Sequence, residues 1–248
     1  MADPRLLLIV TLAFVLEAAL GFGASVIVAT LGALLGPLDA VMPAFITVNL
    51  ALSAWIVATS HAHVARGLLL REVLPLAGLG VLLGFTFGGA ADRPAARMLF
   101  GVGVAALALG ELRRVRTPAR VETSLPRAAA AGALFAGGVV HGVFSAGGPL
   151  IVYAVGRRGL EKAAFRATLS ALWLILNVVL VTRWVHGGVW TARTARDALW
   201  LAPALLLGTT LGSALFRRLP AQAFRVSAAG VMALAGLSLT ARTLLAPR

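Results

Sequence analysis

The sequence predicts an all-α integral membrane protein. About eight hydrophobic helical segments fall into two homologous four-segment repeats, and the first segment of each repeat is broken at a Gly-rich motif. Three observations predict this: a composition that no water-soluble fold can use, apolar runs along the whole chain, and motifs that return in the second half. The 248 residues are 60% hydrophobic and only 12% charged, with a mean hydropathy of +0.94. Such a chain cannot be divided into an apolar core and a wetted surface.

The apolar runs are Leu6–Leu35, Pro43–Ser60, Val73–Ala91, Ala95–Leu112, Ala128–Gly156, Ala167–Thr182, Ala198–Phe216 and Ala223–Ala241. Most reach the roughly 17 residues that one helical crossing needs. They contain Pro and Gly and lack the alternating ten-residue pattern of a membrane β-barrel, so the spans should be helical. MADPRLLLIV at the start has neither a basic leader nor a small-residue cleavage site, and reads as a retained first span. The 22 Lys and Arg outnumber the 9 Asp and Glu. They sit mostly between the apolar runs, where lipid headgroups account for them and nucleic acid is not needed. With no cysteine, there is no disulfide framework, thiolate metal site or thiol redox chemistry.

One polar stretch punctuates the chain. LRRVRTPARVETSLPR, from Leu112 to Arg127, carries five arginines and should lie on the cytoplasmic side. It sets the expected organisation: a first repeat over 1–112, a basic linker over 113–127 and a second repeat over 128–248. The halves resemble each other. PLAGLGVLLG from Pro75 and PALLLGTTLG from Pro203 hold Gly80 and Gly84, and Gly208 and Gly212, at equal spacing. Near the start of each half, Glu17, Gly21 and Gly23 align with His141, Ser145 and Gly147. Internal duplication of this kind is common among transporters. Whether the repeats are parallel or inverted stays open at this level. It depends on whether each broken segment crosses once or turns back, and the basic residues lean only weakly to one side. Arg157, Arg158, Lys162 and Arg166 sit awkwardly in an eight-crossing arrangement.

The two breaks carry the chemistry. LEAALGFGASVIVA from Leu16 and VHGVFSAGGPLIVY from Val140 each place an ionisable residue and then a Gly-rich interruption inside an apolar run. An intramembrane charge is expensive, and irregular backbone at membrane depth is tolerated only where it faces protein or a polar cavity. Glycines let the chain bend and approach a ligand, and a half-helix beginning beyond the break aims N–H groups and a positive dipole end into that cavity. A small anion suits such a surface. Gly21, Gly23 and Ser25 in one half, with Ser145, Gly147, Gly148 and Pro149 in the other, are expected to form two facing crowns of donors around it. Isolated glycines such as Gly80, Gly84, Gly208 and Gly212 read instead as close-packing positions between helices.

Glu17 lies 12 residues beyond Arg5, about 18 Å along a helix and near mid-membrane. It cannot readily stay charged there without a partner, which makes it the candidate proton carrier, with His141 at the matching place in the other half. Arg166 precedes an apolar span. It can offer a planar fork of donors to an oxyanion or anchor the span in the headgroups. Asn49 and Asn177 sit inside spans, where they either bond across helices or reach the substrate. His61, His63 and His186 lie at span ends. Trp55, Trp173, Trp184, Trp190 and Trp200 read as interface-belt or packing residues.

GFGASVIVATLGALL at Gly21–Leu35, HVARGLLLREVLPLAGLGVLLG at His63–Gly84, GVFSAGGPLIVY at Gly142–Tyr153 and FRATLSALWLILN at Phe165–Asn177 resemble the TauE/SafE family of membrane transporters, also called the sulfite exporter or TSUP family. The resemblance runs over essentially the whole chain, and Gly-Gly-Pro followed by Phe-Arg-Ala-Thr is its most specific part. The first repeat departs from the commoner Gly-Gly-Gly pattern with Gly23-Ala24-Ser25. The resemblance implies two four-segment repeats and a substrate among sulfur-containing anions such as sulfite, sulfonates or sulfoacetate.

The expected protein is thus a secondary carrier for a small sulfur-containing anion, working by alternating access in the cell inner membrane, with import or export open. An anion channel, or a membrane sensor or scaffold, is the alternative. An intramembrane protease is disfavoured, because Ser25 has no Gly-x-Ser-Gly around it and no preformed oxyanion site accompanies His141. Glu17 and His141 are two ligands without a third, so no metal is expected, nor any cofactor. The expected partners are the anion and lipid, with no nucleic acid; a homodimer is left open.

Overall fold

The computed structural model describes residues 3–32, 35, 38–87, 93–116 and 125–245, and these are helical with no strand among them. The helices are α1 (Pro4–Leu20), α2 (Ala24–Leu31), α3 (Leu38–Ser60), α4 (Arg66–Leu68), α5 (Leu74–Thr86), α6 (Pro94–Arg116), α7 (Arg127–Phe144), α8 (Gly148–Val155), α9 (Lys162–His186), α10 (Ala192–Arg218) and α11 (Ala221–Leu245). Both broken segments are broken where expected, as α1 with α2 and as α7 with α8. Five stretches among the described residues are long and apolar enough to cross a membrane: Ala40–His63, Arg66–Thr86, Arg127–Phe144, Lys162–His186 and Ala192–Arg218. Of the expected linker, residues 117–124 lie outside the described residues; Arg113 belongs to the end of α6 and Arg127 opens α7.

Local chemistry explains the irregular points. Asp3 caps α1 by accepting from the Arg5 N–H at 2.8 Å, and Pro4 opens the helix where no N–H is needed. Between α4 and α5 the chain makes a π turn over Leu69–Val73. Pro75 cannot donate to the carbonyl one turn back, and a wider turn just upstream absorbs that register fault. Thr191 caps α10 in a reciprocal box with Thr194.

Two compact units form, and each draws helices from both halves of the sequence: Met1–Leu69 with Ala163–Leu219, and Leu70–Lys162 with Pro220–Arg248. In the first unit α1 packs on α10 and α3. A Cβ at Gly208 would strike Phe14, and one at Gly212 would strike Val15 and Ala18. In the second unit α5 packs on α7 and α6 on α11. Gly80 and Gly84 there lie against the backbone of Phe135, Val139, Gly138 and Gly142. The paired glycines therefore act as close-packing positions, as their isolation suggested. In each unit they receive the long arm of a broken helix from the other half of the sequence. Leu79 in α5 and Leu206 in α10 are more than half exposed, as lipid-facing side chains are.

The basic residues that looked awkward have protein partners. Arg158 forms an ion pair with Glu72 of the π turn. The Arg157 guanidinium lies 4.7 Å from the centre of the Tyr153 ring. Arg166 is buried in the first turns of α9, where a headgroup anchor would be exposed.

Candidate functional site

The first break is built by glycine conformation. Gly21 (φ 85°) ends α1 in the left-handed region, with its N–H donating to the Glu17 carbonyl at 2.7 Å. Gly23 (φ 108°) precedes α2 in the same region. Side chains rarely adopt these angles, and a Cβ on Gly21 would also lie 2.9 Å from the Arg166 Cα. The break is thus pressed onto the start of α9. Phe22 meets Phe165 edge to face at 6.4 Å. No side chain caps Gly23, and Ser25 is half-buried in the first turn of α2.

A buried hydrogen-bond chain crosses three helices of this unit. Asn177 on α9 donates its Nδ2 to Asn49 Oδ1 on α3 at 2.9 Å. Asn49 donates its own Nδ2 to Glu17 Oε1 on α1 at 2.8 Å. With Glu17 ionised the chain has one direction, because a carboxylate can only accept: Asn177 donates to Asn49 and Asn49 to Glu17. The Ala24 N–H at the start of α2 also donates to the Glu17 carboxyl. Glu17 therefore ties the two arms of the broken helix together and sits where the positive end of α2 favours negative charge. Glu17, Asn49 and Asn177 are each at most 3% exposed. One turn along α3, the buried Ser53 hydroxyl has no hydrogen-bond partner among the described residues.

Arg166 is 6% exposed. Its guanidinium stacks 4.4 Å from the centre of the Phe216 ring on α10, and its Nε makes no hydrogen bond among the described residues. A buried N–H donor in that state is costly unless a ligand completes it. Trp173 supplies a contact that the sequence reading missed. Its Nε1–H donates to the Gly21 carbonyl at 2.9 Å, inside the protein. Trp190, half-buried in the turn between α9 and α10, donates to Thr47 Oγ1 at 3.0 Å. The signal for Trp173 was its place at the middle of a long span, where an indole N–H must find an acceptor.

The second break, in the other unit, repeats the left-handed stop of the long arm, while Gly147 before the short helix is right-handed (φ −71°) where Gly23 is left-handed. Ser145 ends α7 in the left-handed region at φ 56°, the single non-glycine residue with positive φ among those described. Its N–H donates to the His141 carbonyl at 2.8 Å. Gly21 and Ser145 thus hold equivalent conformations at aligned positions. Gly147 abuts the Gly137 carbonyl and the His141 Cβ, leaving no room for a side chain, and Gly148 and Pro149 open α8. His141 is 2% exposed.

The site residues thus group by unit: Glu17, Gly21, Gly23, Ser25, Asn49, Arg166 and Asn177 in one, His141, Ser145, Gly147, Gly148 and Pro149 in the other. Asn49 and Asn177 bond across helices, the first of the two roles considered for them. His61 and His63 are exposed in a short 3-10 turn, as span-end residues should be.

Comparison with known proteins bears directly on this arrangement. The family model described as sulfite exporter TauE/SafE matches residues 6–239. The chain is similar to the probable inner membrane transporter protein TsaS of Comamonas testosteroni, with 27% identity over 169 residues that cover 68% of this chain and 70% of that protein. No solved structure matches. A family match over nearly the full length, joined to buried polar breaks in apolar helices, leads to one assignment: the chain belongs to the sulfite exporter TauE/SafE family of membrane transporters and is a multi-pass protein of the cell inner membrane.

Proposed function

We propose that the protein is a secondary carrier that moves a small sulfur-containing anion, such as sulfite, sulfoacetate or another organosulfonate, by alternating access. One observation carries this reading: in a member of this family, a broken helix sets the start of α2, held by a buried carboxyl that protonation can neutralise, beside a buried arginine with an unused donor. Two tetrahedral-oxyanion binders, a helix N-terminus and a guanidinium, are then available within one compact unit.

In this reading Gly21, Gly23, Ser25 and Arg166 bind the substrate, and Asn49 and Asn177 orient Glu17 and border the site. Ser145, Gly147, Gly148 and Pro149 perform the same chemistry at the second break. Glu17 and His141 carry the coupling proton. Neutralising Glu17 frees the positive end of α2 for an exogenous anion, because the site then no longer holds a charge of the same sign. Export of an anion runs with the negative-inside potential; uptake needs the proton. The shared left-handed stop at Gly21 and Ser145 and the equivalent glycine packing support two homologous repeats of four hydrophobic segments each.

Proteoliposome uptake measured against sulfite, sulfoacetate, taurine, thiosulfate, sulfate and a simple carboxylate tests the proposal. The sulfur oxyanions or sulfonates should be preferred; a preferred carboxylate would overturn the sulfur assignment.

A further inference from the structure

We infer that Trp173 is a positioning residue of the proposed anion site, holding the first break in the one shape that aims the start of α2. The inference rests on the transport reading above. Breaking a helix at membrane depth strands backbone carbonyls where no water can reach them. The Gly21 carbonyl is one, and the Trp173 indole N–H satisfies it at 2.9 Å. Trp173 is 5% exposed. Glycine at 21 and 23 gives this segment wide conformational freedom, and freedom alone would leave α2 without a fixed direction. Something must select one conformer.

The first half of α9 does so. Phe165 meets Phe22, the Arg166 backbone fills the space where a Gly21 side chain would stand, and Trp173 takes the carbonyl. Arg166 and Trp173 are seven residues apart on one continuous helix, so they lie two turns apart on the same face. That face is a rigid seat for the break. Trp173 is the twelfth of the 25 residues of α9, at the centre of the span, where a belt role does not apply.

Trp173→Phe keeps an aromatic ring and removes the donor. With sulfoacetate as the probe in proteoliposomes, its KM should rise about tenfold while the maximal rate is largely kept, because the binding groups lose their aim but remain present. Trp190→Phe removes a part-buried indole bond of the same unit, the one to Thr47, and should leave KM unchanged. A native KM in Trp173→Phe, or an equal rise in Trp190→Phe, overturns the positioning role while leaving the transport reading intact. If Trp173→Phe does not fold, benzothienylalanine at position 173 preserves the indole shape without its N–H and gives the same comparison. A native chain that carries none of the sulfur anions overturns the transport reading and the inference together.

Discussion

Glu17 concentrates the chemistry in a single side chain. It is buried, accepts from Asn49 and joins α1 to the start of α2. Glu17→Gln keeps the shape and most of the hydrogen bonding but cannot titrate. The native carrier should bind the anion better as pH falls, since a neutral carboxyl does not repel it. The variant should lose that dependence or slow sharply, yet bind nearly as well as the native protein at low pH. Normal transport with an unchanged pH profile would make Glu17 structural. Arg166 gives a second prediction at this scale. Arg166→Lys should weaken anion affinity, because an ammonium reproduces neither the fork nor the stacking on Phe216. Arg166→Ala should weaken it further, by about tenfold or more if a charge-assisted bond of roughly 1.5–3 kcal/mol is lost; unchanged binding by a folded Arg166→Ala protein would remove it from the site. Both residues were legible in the sequence, Glu17 as a charge inside an apolar run and Arg166 as a charge at the edge of one. The Asn49–Asn177 bond and the Trp173 contact were not. Asparagine and tryptophan have ordinary packing roles, and their partners lie 128 and 152 residues away.

At the scale of elements, the breaks were readable and the packing rules partly so. Glycine runs inside hydrophobic stretches announce a bend because few other residues tolerate left-handed backbone. Ser145 shows the limit of that signal, since it adopts the same conformation as Gly21 without being glycine. The π turn before Pro75 had no sequence mark beyond the proline itself. The glycines of α5 offer a clean test of close packing. Gly84→Ala would drive a methyl into the Val139 carbonyl and should cost about 1–3 kcal/mol, read as a lower melting temperature in detergent. Gly78→Ala, on the same helix with open space around its Cβ position, should be neutral or slightly stabilising. Equal destabilisation by both would contradict the packing assigned to the α5 and α7 pair.

For the whole molecule, composition was decisive and long-range assembly was hidden. A chain that is 60% hydrophobic declares its membrane class, and the repeated glycine spacing hints at duplication. Neither reveals that each compact unit combines helices from both halves, with α1 against α10 in one and α5 against α7 in the other. Hydropathy reports what a helix contacts in kind, lipid or protein, and does not say which helix. The central claim is that these units carry a sulfur-containing anion through a saturable site. Counterflow in proteoliposomes tests it most directly: vesicles loaded with unlabelled sulfoacetate should take up labelled sulfoacetate transiently above equilibrium, with saturation and with competition by sulfite. Uptake that does not saturate, shows no stimulation by internal substrate, or is displaced better by a simple carboxylate than by sulfite would contradict it.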